Sequence, residues 1–243
     1  MEIVKIPKIG ILRWESGHVP EGLMQLERMN GNSTNPNSYP FPVKMVEIKG
    51  ANTETVIIHP SREVLARMID TVKEMEKEGI CAVTTSCGFN AVFQKELSEA
   101  VNIPVFTSSI LQVPFAQAII GKDKEVGIIT ANKGSLTREH MRACNITDES
   151  NVYVIGLEDC REWRKIFDEP DNPFDMEAVS KEILGAVEKG FEDHPNTAII
   201  VLECTDLPPY AQQIREKFGV PVFDINSMIG YVAMSIGQIR LYD

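Results

Sequence analysis

A chain of 243 residues, 43% hydrophobic and 24% charged, carries enough apolar material for a sizeable core and is no disordered segment. Its formal charge of −11 has no basic stripe to offset it, which argues against nucleic acid as a partner, and no apolar run approaches the roughly 20 residues of a membrane-spanning helix. Met1 to Ile11 lacks the basic segment, apolar run and small-residue cleavage site of an export signal, so a cytoplasmic location is expected. Five cysteines at irregular spacing, without CxxC or clustered Cys and His, predict free thiols and neither a disulfide framework nor a metal site.

In chain order, Ile9 to Leu12, Val43 to Ile48, Ile80 to Thr85 and Ile103 to Phe106 are short β-branched runs that predict strands. Between the second and third, Val64, Leu65, Met68, Ile69, Val72 and Met75 form one face of a helix over 62–78, with Ser61 as N-cap and Gly79 as its stop. A further helix over 91–101 separates the third and fourth strands, and another starts near Ile110. Strands alternating with helices predict a parallel sheet.

The series then repeats. Val126 to Ile129, Val152 to Ile155, Thr197 to Leu202 and Val220 to Phe223 are the second set of strands, with a helix from Met176 to Phe191 before the third. Gly10 and Gly127, Cys87 and Cys204, Pro104 and Pro221, Val105 and Val222, Phe106 and Phe223 are all 117 positions apart. The fold class predicted is α/β with two pseudo-symmetric lobes, each a mainly four-stranded parallel sheet flanked by helices, with the active site in the cleft between them. The first lobe spans 1–118, completed by the C-terminal 228–243, and the second 119–227.

Cys87 and Cys204 each lie just past a strand and before a helix, where parallel α/β sheets bind ligands and unpaired N–H groups favour negative charge. Such a setting is expected to lower a thiol pKa from about 8.5 and make each cysteine a base. Facing one cleft from opposite sides, the two suit inversion of a stereocentre: one thiolate removes a proton and the other, as thiol, returns one to the opposite face. Thr85, Ser86, Thr205, Ser108 and Ser109 stand ready as donors to the developing enediolate.

Thr85-Ser86-Cys87-Gly88-Phe89, the run from Pro104 to Ser109, Val126-Gly127-Ile128-Ile129-Thr130 and Glu203-Cys204-Thr205-Asp206-Leu207-Pro208 together resemble the aspartate/glutamate racemase superfamily, which includes hydantoin racemases, maleate isomerases and arylmalonate decarboxylases. The resemblance covers nearly the whole chain. It implies Cys87 and Cys204 as the catalytic pair, no cofactor, Gly88, Phe89 and Thr205 as substrate binders, and Thr130, Ala131 or Ser135 lining the cleft. Glutamate racemases usually follow the first cysteine with Asn-Thr-Ala and the second with Thr-His, so Gly88-Phe89-Asn90 and Thr205-Asp206 are departures that bear on the substrate.

The resulting expectation is a racemase or epimerase of a small acidic amino acid or related compound, the substrate being a carboxylate or hydantoin. Maleate-type isomerisation and arylmalonate-type decarboxylation are the alternatives in the same cleft, and a non-catalytic binding protein or a redox pair of Cys87 and Cys204 the alternatives of another class. The segment from Arg13 to Pro42, rich in Gly, Asn and Pro, is read either as a lid, with Arg13 clamping a carboxylate and Trp14 or Tyr39 closing over it, or as a surface excursion packed by its own aromatics. Glu203 and Asp206 tune the neighbouring thiol, or Asp206 caps a helix. Asn226 is a candidate for closing the pocket. Cys81, Cys144 and Cys160 are assigned no chemistry, and His18, His59, His140 and His194 are read as surface or loop residues. Homo-oligomerisation stays open.

Overall fold

A computed structural model describes residues 2–15, 21–169 and 171–240. The strands are β1 Glu2–Ile3, β2 Ile9–Trp14, β3 Lys44–Ile48, β4 Ala82–Thr85, β5 Val105–Phe106, β6 Glu125–Thr130, β7 Val152–Gly156, β8 Thr197–Leu202, β9 Val222–Phe223 and β10 Ile239–Arg240. The helices are α1 Glu21–Glu27, α2 Arg62–Lys77, α3 Gln94–Glu99, α4 Val113–Ala118, α5 Arg138–Ala143, α6 Arg161–Asp168, α7 Met176–Asp193, α8 Ala211–Phe218 and α9 Ile225–Ser235. Two four-stranded parallel sheets have the same order, β3-β2-β4-β5 and β7-β6-β8-β9. Among the described residues no helix is long and apolar enough to cross a membrane.

The duplication reaches single hydrogen bonds. Val83 N–H donates to the Pro104 carbonyl at 2.9 Å, and Ile200, 117 positions on, donates to Pro221 at 3.0 Å. Ser86 N–H donates to Leu12 at 2.8 Å, and its counterpart Glu203 donates to Ile129 at 2.7 Å. These last two bonds pin the chain just past the inner strands β4 and β8, so each following cysteine leaves its sheet in the same way.

Helix α2 begins where the Ser61 side chain accepts from Val64 N–H, and the chain turns away at Gly79, whose φ of +91° only glycine adopts readily. Its apolar face buries Val64, Leu65, Met68, Val72 and Met75 on the first sheet. The expected helix over 91–101 is instead a 3-10 turn over Gly88–Phe93 followed by the short α3. The tighter winding draws the chain after Cys87 inward: Gly88, Phe89, Asn90 and Ala91 are all buried.

Each half also packs its last helix on the other. Val113 and Ala116 of α4 join Val126 and Ile128 of β6 in one core, while Ile225, Ile229 and Ala233 of α9 pack with Ile9, Ile11, Ala82 and Phe106 of the first lobe. β10 returns to pair with β1. The lobes are further clasped by two hydroxyls: Ser109 Oγ donates to the Leu202 carbonyl at 2.5 Å, and Thr205 Oγ1 to the Ser86 carbonyl at 2.6 Å. Ser109→Ala leaves the buried end of β8 without its donor and is expected to lower unfolding free energy by about 1–3 kcal/mol. In urea this reads as a lower midpoint with an unchanged slope; an unchanged midpoint contradicts the clasp.

Candidate active site

Cys87 opens the 3-10 turn with extended backbone (φ −150°); its carbonyl accepts from Asn90 N–H at 3.1 Å, and the backbone N–H groups of Phe89 and Asn90 lie where they favour its thiolate. Cys204 follows β8 and its thiol donates to Asp206 Oδ2 at 3.9 Å. The Thr205 to Ser86 bond ties the two cysteine loops together. Cys87 is 8% exposed, whereas Cys204 keeps some solvent access.

The expected depression of the thiol pKa values is not what this environment produces. Burial pushes Cys87 well up, and the nearby Glu203 and Asp206 carboxylates push it further, outweighing the two N–H donors. Burial likewise raises Cys204, followed by Asp206 and Glu203. The turns beside both cysteines are single and short, so their dipoles are too weak to offset desolvation.

Both carboxyls are themselves displaced. Glu203 has no exposure; burial raises it to about 7 although Thr130 Oγ1 donates to its Oε2 at 2.7 Å. Its Oε1 has no hydrogen-bond partner among the described residues. Gly88 packs so tightly on this group that a Cβ there would lie 2.2 Å from Glu203 Oε1 and 2.3 Å from its carbonyl. Asp206, raised by burial to about 6, accepts from Asn32 Nδ2 at 2.7 Å through Oδ1. It caps no helix: the short turn Pro208–Tyr210 starts from Leu207, and Asp206 is turned back onto Cys204 and Asn32.

Several residues expected to serve a ligand are occupied by the protein. Thr85 Oγ1 donates to Cys87 and Thr107 carbonyls, Ser108 Oγ accepts from Ile110 N–H, and Thr205, Ser109 and Thr130 make the bonds given above. Ser86 remains half-buried at the seam, Phe89 stacks edge-on against His140 at 5.7 Å, and Ser135 closes a turn on Asn132 beyond buried Ala131. Arg13 at the end of β2 pairs with Glu27 at 3.6 Å. Asn226 donates to the Gly31 carbonyl at 2.5 Å.

Neither reading of the Arg13 to Pro42 segment describes what lies from Glu21 onward; residues 16–20, with His18, fall outside the described residues. Helix α1 is followed by a buried asparagine-rich turn. Asn35 Nδ2 donates to Arg28 and Met29 carbonyls, Ser33 N–H to Thr205 at 3.3 Å, and Asn32 holds Asp206. Tyr39 does not close over the cleft: it is 9% exposed, beside Phe41, with its hydroxyl on the Ser33 carbonyl at 2.8 Å. Trp14 packs on the first-lobe core. His140 is also no surface residue, because its ring is 3% exposed under Phe89. His59 is exposed, and His194 stacks on Tyr153 at 3.8 Å and pairs with Glu125.

The residues missed at the sequence level are Asn32, Glu27 and Asn90. Asn90 is 1% exposed with an unpartnered Oδ1, and its backbone N–H donates to the Cys87 carbonyl. The clustered asparagines of Asn30 to Asn37 were the available signal, since side-chain amides at that density serve to satisfy buried turns. No group of three or more His, Cys, Asp or Glu side chains suited to a metal occurs among the described residues.

Residues 45–229 match the sequence profile of the Asp/Glu/hydantoin racemases. Dimethylsulfoniopropionate lyase of Durusdinium sp. clade D is 28% identical over 227 residues, covering 91% of this chain and 72% of that protein. Dimethylsulfoniopropionate lyase 3 of Emiliania huxleyi is 27% identical over 236 residues, covering 92% of this chain and 59% of the lyase, so the chain spans well under the full length of either relative. The allantoin racemase structure from Pseudomonas fluorescens superposes with a TM-score of 0.63 at 16% identity, over 95% of this chain and 90% of that one, and so shares the fold.

The raised carboxyls have a consequence for stability. Glu203 and Asp206 hold their protons to about pH 7 and 6 in the folded state, against 4.5 and 3.8 as ordinary values. The folded state therefore binds more protons across that window, and its stability, full below the ordinary values, falls as pH rises through the folded ones. Glu203 alone accounts for on the order of 3 kcal/mol. The melting temperature is expected to fall from pH 5 to pH 8, and Glu203→Gln to flatten that slope. A slope identical in the variant contradicts a protonated Glu203.

Proposed function

Because the chain belongs to the Asp/Glu/hydantoin racemase family, we propose that it removes the proton α to the carboxylate of a small zwitterionic acid and expels a β-substituent, with a dialkylsulfonio propionate as the substrate class. Kinship with dimethylsulfoniopropionate lyases over nine-tenths of the chain supports the substrate class. The observation that carries elimination over racemisation is the unequal setting of the two thiols. Racemisation needs two bases that exchange roles, whereas the Cys204 thiol is bonded to the Asp206 carboxyl and the Cys87 thiol to none, with backbone N–H groups favouring a thiolate from two residues at Cys87 and from one at Cys204.

Cys87 is the base in this reading, because its thiol is bonded to no carboxyl, whereas Cys204 gives its proton to a bond with Asp206. Its thiolate takes the Cα proton, the C–H electron pair becomes the Cα–Cβ double bond, and the Cβ–S bond breaks to release neutral dialkyl sulfide. Acrylate and the Cys87 thiol remain, and the thiol returns its proton to solvent. Cys204, held as a thiol by Asp206, orients the substrate from the opposite face. Glu203 and Asp206 lie at the centre of the seam with raised pKa values, and Arg13 is already paired to Glu27. A sulfonium bound there adds positive charge that draws the base thiol downward in pKa, so the substrate itself completes the site.

The symmetric placement of the cysteines on equivalent strand ends favours a second reading, racemisation of an acidic amino acid or hydantoin. Decarboxylation of a malonate-type acid draws on the same single thiol. Incubation with dimethylsulfoniopropionate, followed by headspace gas chromatography and NMR, separates them: dimethyl sulfide and acrylate are expected in equal amounts. Cys87→Ala is expected to lose about 10² to 10⁴-fold, and Cys204→Ala less. Folded protein that releases no sulfide, yet removes the optical rotation of aspartate, glutamate or a hydantoin, overturns the elimination.

A further inference from the structure

Glu203 is the one carboxyl at the seam for which the proposed elimination has no direct task, and its placement is unusual. It immediately precedes Cys204, is fully buried, and lies against the backbone of Gly88, the residue after Cys87. Four elements enclose it. From β6 comes the Thr130 hydroxyl, from the turn after β4 Gly88 and the Cys87 thiol, from the end of α5 the Cys144 thiol, and from the turn before α4 the Ser109 hydroxyl, 3.5 Å from its carbonyl. Cys204 and Asp206 share its own loop.

No arginine, lysine or histidine pairs with it among the described residues, and the sole bond to the carboxyl is the one from Thr130. A buried carboxylate without a cation is costly, and one oxygen without a donor makes it more so. The group meets that cost by keeping its proton. Neutral, it is a compact wedge against Gly88; ionised, it faces three thiols whose own ionisation it opposes.

We propose that Glu203 is a positioning residue held as a neutral carboxylic acid in the resting protein, and that its loss of a proton withholds charge from the Cys87 and Cys204 thiols. The proposal rests on those thiols being the working groups of the site, and it deepens that reading by giving the site an internal governor. Thiol reactivity rises with pH in the ordinary way while Glu203 is neutral, then climbs less steeply once Glu203 ionises, near pH 7. Asp206 adds its own opposition below that point in every variant alike, smaller than that of Glu203 at Cys87 and larger at Cys204.

The test is iodoacetamide alkylation of Cys87 and Cys204 in the full chain from pH 5.5 to 9, with each site followed by peptide mass spectrometry. This readout needs no substrate. In the native protein the plot of log rate against pH is expected to break near 7, and in Glu203→Gln to run straight through that region, any bend near 6 from Asp206 being common to both. The two proteins should alkylate equally at pH 5.5 and differ by about tenfold at pH 8.5, the effect of one pKa unit. Thr130→Val, which removes the donor that favours the carboxylate, is expected to move the break to higher pH. A constant rate ratio at all pH values signals a change of access alone and overturns the proposal, as does a break that Thr130→Val leaves in place. Absence of dimethyl sulfide release by the native protein, with the break intact, removes the elimination and leaves the governor standing.

Discussion

Two thiols and two carboxyls share a desolvated seam between the lobes with no cation paired to any of the four among the described residues. Coulomb repulsion at low dielectric sets the terms for everything near it. The carboxyls respond by retaining protons, the thiols by remaining neutral, and the surrounding hydroxyls and amides by spending their hydrogen bonds on the protein.

The duplicated fold explains why the four groups meet. Matching bonds from Ser86 to Leu12 and from Glu203 to Ile129 end β4 and β8 alike, and the exchange of α4 and α9 between lobes locks their relative placement. The symmetry stops at the side chains. Where one half has Ser86, half-buried, the other has Glu203, and where one has Phe89, the other has Asp206. A pair of cysteines inherited as equals thus sits in unequal electrostatic surroundings, which is the physical basis for giving them different tasks.

Much of this was legible in the sequence. The 117-residue spacing of Cys87 and Cys204 located both cysteines on equivalent strand ends, and the β-branched runs marked the four strands of each parallel sheet, though not their order. The sign of the thiol shifts was not legible, because it depends on how deeply Glu203 and Asp206 are buried, and that depth comes from Gly88, Thr130 and Asn32 arriving from three different parts of the chain. Nor was the burial of His140, which Phe89 covers only after the 3-10 turn draws it inward. The asparagine turn over 30–37 was visible as composition, but its docking on the Thr205–Asp206 loop is a long-range contact that periodicity does not encode.

In the proposed elimination one thiol removes one of the two enantiotopic hydrogens at Cα. It is tested most directly with dimethylsulfoniopropionate carrying a single deuterium at Cα in each of the two configurations, followed by mass spectrometry of the acrylate formed. The account predicts that one labelled substrate delivers all its deuterium to acrylate and the other none. Equal loss from both shows that the two faces are worked alike and contradicts it.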